Sequence, residues 1–381
     1  MMCRALLAVV ALLAVLTAPV QASGDGSTQT VTAQRIAAAA WYLVGEDGAV
    51  LARHNARRPR AIASITKLMT AIVTLERARP SEVVRVSPRA ARVGESTVYL
   101  RAGEQLTVAE LLRATLVPSA NDAADALALH VGRGSIPRFV GLMNTKAREL
   151  GLDDTAFTNP HGLDESGHLS SARDATVLLR YALGVPFIRD ALDRTSFSLH
   201  GRDFPTTDDL LVSWPALIGG KTGHTRDAGW SQAAAAGARG ITVYGTVLGS
   251  KSRSGRNDGL RTLLGYGLTR YWRIAAVDSS REYAEAETGY GRPSVQLVAP
   301  RTMARTVRDD VELVERVISP ATVALPVREG QVLGRVEVFQ GGRLVASASL
   351  VAAEAVSEPG VPGKAAWYVR RTAQTFWGLV T

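Results

Sequence analysis

The stretch Ile62-Ala63-Ser64-Ile65-Thr66-Lys67-Leu68-Met69-Thr70 is apolar and helix-like, yet it carries one amine three positions after a serine. Residues i and i+3 share a face of a helix, so Ser64 and Lys67 are expected side by side. A serine hydroxyl becomes a nucleophile when a base takes its proton. A lysine can be that base only when its pKa falls, through desolvation or nearby positive charge. Alone, Ser-x-x-Lys is a short pattern, and a buried helix with a snorkelling lysine explains it better.

Two further stretches change that balance. Ser119-Ala120-Asn121 follows Pro118 between two helical runs. Its hydroxyl can relay a proton and its amide can hold a carbonyl, although Ser-x-Asn taken singly is a cap or turn. Lys221-Thr222-Gly223 follows Gly219-Gly220 and precedes His224 and Gly229-Trp230. On an edge strand, a lysine and threonine beside glycine can bind a carboxylate. Each element occurs once, in this order, and the set is that of penicillin-binding proteins and class A β-lactamases.

More closely, the chain resembles the low-molecular-weight D-alanyl-D-alanine carboxypeptidases. The likeness rests on SITKLMTA (64–71), SANDAADALA (119–128), FVGLMNTKARELGLDDTAFTNPHGLD (139–164), SARD (171–174) and GGKTGHT (219–225). VALPVREGQVLGRVEVFQGG (323–342) is similar to the family's C-terminal β domain. The resemblance implies that Ser64 attacks the penultimate D-Ala carbonyl, with Lys67 as base. It implies that Ser119 and Asn121 shuttle protons and position substrate. Lys221, Thr222 and Gly223 would hold the terminal carboxylate region. The backbone N–H groups of Ser64 and His224 would form an oxyanion hole. Arg256, in KSRSGRNDGLRTLLGYG (251–267), resembles the family's carboxylate-binding arginine. Ile62 stands where the family often has proline. Ile218 and Gly220 stand where it often has an acidic residue and a bulky apolar one, respectively.

The composition agrees with a folded, multi-domain chain. It has 381 residues, 46% hydrophobic and 21% charged, with a net charge of +9. Such a charge favours anionic surroundings. No dense Lys/Arg block argues for nucleic acid. Arg4, the apolar run Ala5–Leu16 and Val20-Gln21-Ala22 read as a secretory signal peptide over residues 1–22. The only cysteine, Cys3, lies within it, so disulfides and thiolate chemistry are not expected in the mature chain. His54, His130, His161, His168, His200 and His224 have no metal-ligand spacing, and neither metal nor cofactor is expected.

Along the chain, residues 23–37 read as a flexible lead. A hairpin is expected at Trp41–Val44 and Ala49–Ala52, then a helix from about Ser64 to Arg77. Thr107 to Glu110 is a capping box before Leu111–Leu116. Helices at 122–131 and 139–150, a loop at 151–172 and a hairpin at 231–248 complete a mixed α/β peptidase domain at 31–278. Short β runs follow in a small all-β domain at 283–357, then a Pro/Gly linker at 358–363. In the last segment, 364–381, Val369, Ala373, Phe376, Trp377 and Val380 share one helical face opposite Lys364, Arg370, Arg371 and Gln374. That pattern suits a helix lying on an anionic membrane surface. The alternative is a terminal helix docked on the protein's own core.

The expected activity is therefore removal of the terminal D-Ala from peptidoglycan pentapeptides outside the cytoplasmic membrane, with β-lactams as inhibitors. A D,D-endopeptidase would use the same residues. A β-lactamase would need a Glu-x-x-Leu-Asn pattern in the 152–172 loop, where only Glu165 stands. A silent wall-binding protein would not need all three motifs intact.

Overall fold

A computed structural model describes residues 13–20 and 36–377, with side chains from 36 to 374; the lead before Ile36 lies largely outside it. The chain divides into two compact units, Gly26–Thr269 and Arg270–Thr381, the latter together with the N-terminal residues to Asp25.

The first unit contains a five-stranded antiparallel sheet. In spatial order its strands are Val50–His54, Ala40–Gly45, Ile241–Ser250, Gly229–Ala238 and Leu217–Thr225. Leu217–Thr225, which carries Lys-Thr-Gly, is therefore an edge strand. Helices Ala172–Leu183 and Arg253–Thr269 both pack against the sheet. The sequence permits this close approach through small residues. Ala233, Ala234, Ala235 and Ala236 are all fully buried. A Cβ at Gly245 would lie 3.0 Å from Leu264, and one at Gly267 would lie 3.1 Å from Leu43.

The helical part is built around Lys67–Arg77, preceded by a 3-10 turn at Ala63–Thr66. Every residue from Lys67 to Thr74 is buried. Four helices surround it: Val108–Leu116, Asn121–Val131, Ile136–Glu149 and Ala172–Leu183. The expected capping box is present, with Thr107 accepting from Glu110 N–H and Glu110 accepting from Thr107 N–H.

The loop at 151–172 is held to this helix. Thr70 donates to Pro160 O at 2.5 Å. His168 Nδ1 accepts from Thr158 N–H at 3.1 Å, so Nε2 carries the proton toward Thr66 Oγ1, 2.7 Å away. Burial lowers the His168 pKa to about 4, which keeps the ring neutral. Gly162 has φ +89, and a Cβ there would lie 1.9 Å from Ala63 O. Only glycine fits between the loop and the serine turn.

The second unit is mostly β. A seven-stranded sheet includes Glu282–Thr288, Val295–Val298, Leu313–Pro320, Val332–Gln340 and Arg343–Ala352. Leu13–Val20, within the segment read as a secretion signal, pairs antiparallel with Leu313–Pro320. Val277, Leu297, Val336 and Leu350 form part of the core. Tyr271–Val277 pairs with Met303–Arg308, so the division falls between Thr269 and Arg270 rather than at 278. The terminal helix is Val361–Trp377. It begins inside the stretch read as a linker. Tyr290 and Trp367 pack edge-to-face at 5.4 Å, and Lys364 lies over the Tyr290 ring at 5.4 Å.

Gly162→Ala is expected to destabilise the protein by about 2–4 kcal/mol, from left-handed strain plus steric overlap. Chemical denaturation of the variant would measure this; an unchanged midpoint would show that the loop contact contributes nothing.

Candidate active site

The structure brings Ser64, Lys67, Ser119, Asn121 and Lys221 together from three separate elements. Lys67 Nζ lies 2.6 Å from Ser64 Oγ, 2.7 Å from Asn121 Oδ1 and 3.1 Å from His161 O. Three acceptors fit an ammonium. They also fit a neutral amine that donates to Asn121 and His161 and offers its lone pair to the serine proton. Electrostatics chooses between the two. Burial lowers the Lys67 pKa well below its ordinary value, and the positive charge of Lys221 lowers it further. Glu95 and Asp122 oppose this but rank below both.

Asn121 is oriented by its surroundings. Its Nδ2 donates to Gly94 O at 3.0 Å, which turns Oδ1 toward Lys67. Its backbone N–H donates to Ser96 O at 2.7 Å. Next along, Asp122 accepts from Val98 N–H at 3.3 Å and Leu100 N–H at 3.0 Å. The segment carrying Gly94 and Ser96 is thereby tied to the start of the Asn121 helix.

Lys221 Nζ donates to Ser119 Oγ at 2.9 Å and to Thr222 O at 3.1 Å. Burial lowers its pKa to about 7; Asp208 raises it in opposition, and Arg256 lowers it further. Thr222 Oγ1 lies 2.6 Å from Thr207 Oγ1. Gly223 answers for the close approach of the edge strand. A Cβ there would lie 2.7 Å from Ile62 O and 3.0 Å from Ser64 N. His224 is exposed and stacks on Trp230, with ring centroids 4.0 Å apart. Ser119 and Ala63, at two corners of the site, both have left-handed backbone, with φ +67 and +48. Such strain in a non-glycine residue is a mark of functional sites.

Arg256, expected as a carboxylate-binding residue, is held by neighbouring side chains. It is 2% exposed. Its guanidinium donates to Asn257 Oδ1 at 2.6 Å and Asp209 Oδ2 at 3.2 Å, and lies 5.8 Å from the Trp230 ring centroid. Its effect on Lys221 is through space.

The chain as a whole is similar to known proteins. The family model for D-alanyl-D-alanine carboxypeptidases of the peptidase S11 type matches residues 27–252. The chain belongs to this family. A D-alanyl-D-alanine carboxypeptidase of Escherichia coli K12, DacC, is 31% identical over 88% of each chain. DacF of Bacillus subtilis is 29% identical over 89% of this chain and 90% of its own. Among solved structures, penicillin binding protein 5 from Haemophilus influenzae aligns with a TM-score of 0.63 at 29% identity, covering 85% of this chain and 98% of its own. The Streptomyces K15 DD-transpeptidase aligns with a TM-score of 0.59 at 30% identity, covering 61% of this chain and 98% of its own.

Several contacts of this carboxypeptidase-family site were not anticipated from its sequence. The pair Asp208–Gln232 carries no short motif, and no spacing rule joins the His161 carbonyl or Gly162 to the serine turn. Gln232 Nε2 donates to Asp208 at 2.7 Å, and burial raises the Asp208 pKa. Asp164 joins the loop to the strand end, accepting from Thr225 Oγ1 at 2.5 Å and from Asp227 N–H at 3.1 Å. The NPHG run at 159–162 was the available signal, since an Asn-Pro start and a glycine end mark a fixed turn.

The two lysines predict a bell-shaped pH profile. In the reading that makes Lys67 the base, acylation needs it neutral and is favoured by Lys221 charged. The alkaline limb is expected as Lys221 loses its proton near its lowered value of about 7. Removing that charge raises the Lys67 pKa. Stopped-flow acylation of Lys221→Gln by a β-lactam should therefore show its acid limb moved to higher pH. An unmoved acid limb would mean that Lys221 does not act on Lys67.

Proposed function

We propose that this serine-type D-alanyl-D-alanine carboxypeptidase works through an acyl-enzyme on Ser64. The supporting observation is the desolvated Lys67 amine 2.6 Å from Ser64 Oγ. Lys67 takes the hydroxyl proton as Oγ attacks the carbonyl of the penultimate D-Ala. The oxyanion is received by the Ser64 and His224 N–H groups. Lys67 hands that proton through Ser119, beside Lys221, to the departing amine, and the terminal D-Ala leaves. Its carboxylate is held by Lys221 and Thr222, with Arg256 adding fixed positive charge behind them. Water, deprotonated by Lys67, then attacks the ester, and the proton returns to Ser64. A β-lactam acylates the same serine, but its opened ring keeps the leaving nitrogen tethered.

The balance between carboxypeptidase and endopeptidase follows the relatives that match along most of the chain, which are named carboxypeptidases. The site is placed outside the cytoplasmic membrane by export through the segment 1–22. Cleavage after Ala22 removes Leu13–Val20 and opens the outer edge of Leu313–Pro320 in the mature protein.

The terminal helix is proposed as a peripheral anchor on anionic membrane. No helix among the described residues is long and apolar enough to cross a membrane. Val361, Tyr368 and Val369 are 82%, 55% and 70% exposed, and Arg370 and Arg371 flank them. Uncovered apolar side chains beside basic ones fit an interfacial helix. Of the expected apolar face, the Phe376 and Trp377 side chains and Val380 lie outside the described residues.

Ser64→Ala is expected to abolish both D-Ala release and covalent benzylpenicillin labelling. Intact mass spectrometry is the check, and retained labelling would move the nucleophile elsewhere. Deleting residues 362–381 should release the mature protein from anionic vesicles in a sedimentation assay. Undiminished sedimentation would remove the anchor assignment.

A further inference from the structure

A cavity lies at the end of the edge strand that carries Lys-Thr-Gly. Its volume is about 390 Å³, and its lining includes Arg60, His224, Arg226, Trp230, Ser250 and Lys251. Three cations thus face it. The one lining carboxylate, Asp227, is paired with Arg226 at 3.4 Å. Asp164, held by Thr225 and Asp227 N–H, is not part of the lining. Among the described residues neither Arg60 nor Lys251 has an ion-pair partner.

Ser250 supplies the second observation. It is 1% exposed, and its Oγ has no hydrogen-bond partner although it lines the cavity. A buried hydroxyl left unpaired is unfavourable. A ligand that accepts its proton removes that cost. The His224–Trp230 stack, at 4.0 Å, forms an apolar wall beside the cations. Cations, a free hydroxyl donor and a flat wall together suit a carboxylate carried on an organic chain.

The direction of the substrate leads to this place. In the proposed reading, the terminal carboxylate sits at Lys221 and Thr222 and the scissile carbonyl at the His224 N–H. A chain extended along the free edge therefore runs from Lys221 toward Thr225 as it proceeds away from the scissile bond. The cavity lies at that end. From the edge strand to the Ile241–Ser250 strand is two strand spacings, about 10 Å. About three extended residues span that length.

We propose that this cavity is a subsite for a free carboxylate of the peptidoglycan stem, upstream of the D-Ala-D-Ala unit. Arg60 and Lys251 provide the charge, Ser250 the hydrogen bond, and the His224–Trp230 pair the wall against the adjoining chain. The subsite rests on the carboxypeptidase reading and adds to it a preference among stem peptides.

The test uses the full chain and two stem-peptide mimics of equal length. One carries a free upstream carboxylate, and in the other that group is amidated. The wild type is expected to favour the acid mimic in kcat/KM. The double variant Arg60→Gln/Lys251→Gln should lose tenfold or more on the acid mimic, mainly through KM, and less than twofold on the amide. Benzylpenicillin acylation should be unchanged in both proteins. Ser250→Ala should lose severalfold on the acid mimic without a fall in Tm, because its hydroxyl has no partner to lose. Glutarate added as a free dicarboxylate should compete with the acid mimic alone. Equal losses on both mimics would overturn the subsite in favour of a structural role. No preference in the wild type, or equal glutarate inhibition of both mimics, would overturn it as well. Penicillin labelling with no D-Ala release from either mimic would instead remove the carboxypeptidase reading, and the subsite with it.

Discussion

The Lys67 amine sits 2.6 Å from Ser64 Oγ with its side chain shut away from water, and an ammonium in that place loses its hydration. Desolvation is the largest influence on its pKa. Removing a charge from water is costly, so the group gives up its proton instead. The surrounding architecture serves this condition. The helix that bears Lys67 is covered by four others, and the 158–168 loop closes over its first turn through Thr70, Thr66 and Gly162. Exposing that turn would restore the proton and, in the proposed mechanism, disable the base.

The second lysine is arranged by the same logic, with a different result. Lys221 is also buried, but Asp208 acts against the desolvation and Arg256 with it. Its pKa settles at about 7, where it retains charge over part of the physiological range. That charge suits a carboxylate-binding group and also lowers the Lys67 pKa. In the proposed mechanism one residue therefore serves both binding and the tuning of the base. The edge strand can deliver it because Gly223 lets the strand approach the serine turn, where any Cβ would collide with Ile62 O.

Much of this was legible in the sequence, for physical reasons. Ser64 and Lys67 are joined by helical periodicity, a local rule. The Thr107–Glu110 capping box, the paired strands at 40–54 and 229–250, and the helix starts are local as well. What escaped notice is non-local. The Lys67–His161 contact spans 94 residues, and Thr66–His168 spans 102. No spacing rule reaches that far. The boundary expected at 278 takes in the Tyr271–Val277 strand, because a strand does not name its partner, and Met303–Arg308 claims it. Trp367 and Tyr368 were not counted on the apolar face of the terminal helix, yet both pack around Tyr290. Arg256 aligned with the family, but burial against Asp209 and Asn257 could be seen only in three dimensions.

Holding two amines in a dry site works against stability. Lys221 has a folded pKa of about 7, below its ordinary value of 10.5. Between those limits the unfolded chain binds a proton that the folded chain does not, so stability rises with pH there. The full contribution is present only above the unfolded value and is withdrawn as pH falls toward about 7. Lys67 is depressed in the same direction and adds to the same slope. Near neutrality the site therefore takes stability from the fold. The capped helices, the alanine-lined sheet and the buried core around Lys67–Arg77 offset that loss, so a helix that could have been wholly apolar keeps its lysine.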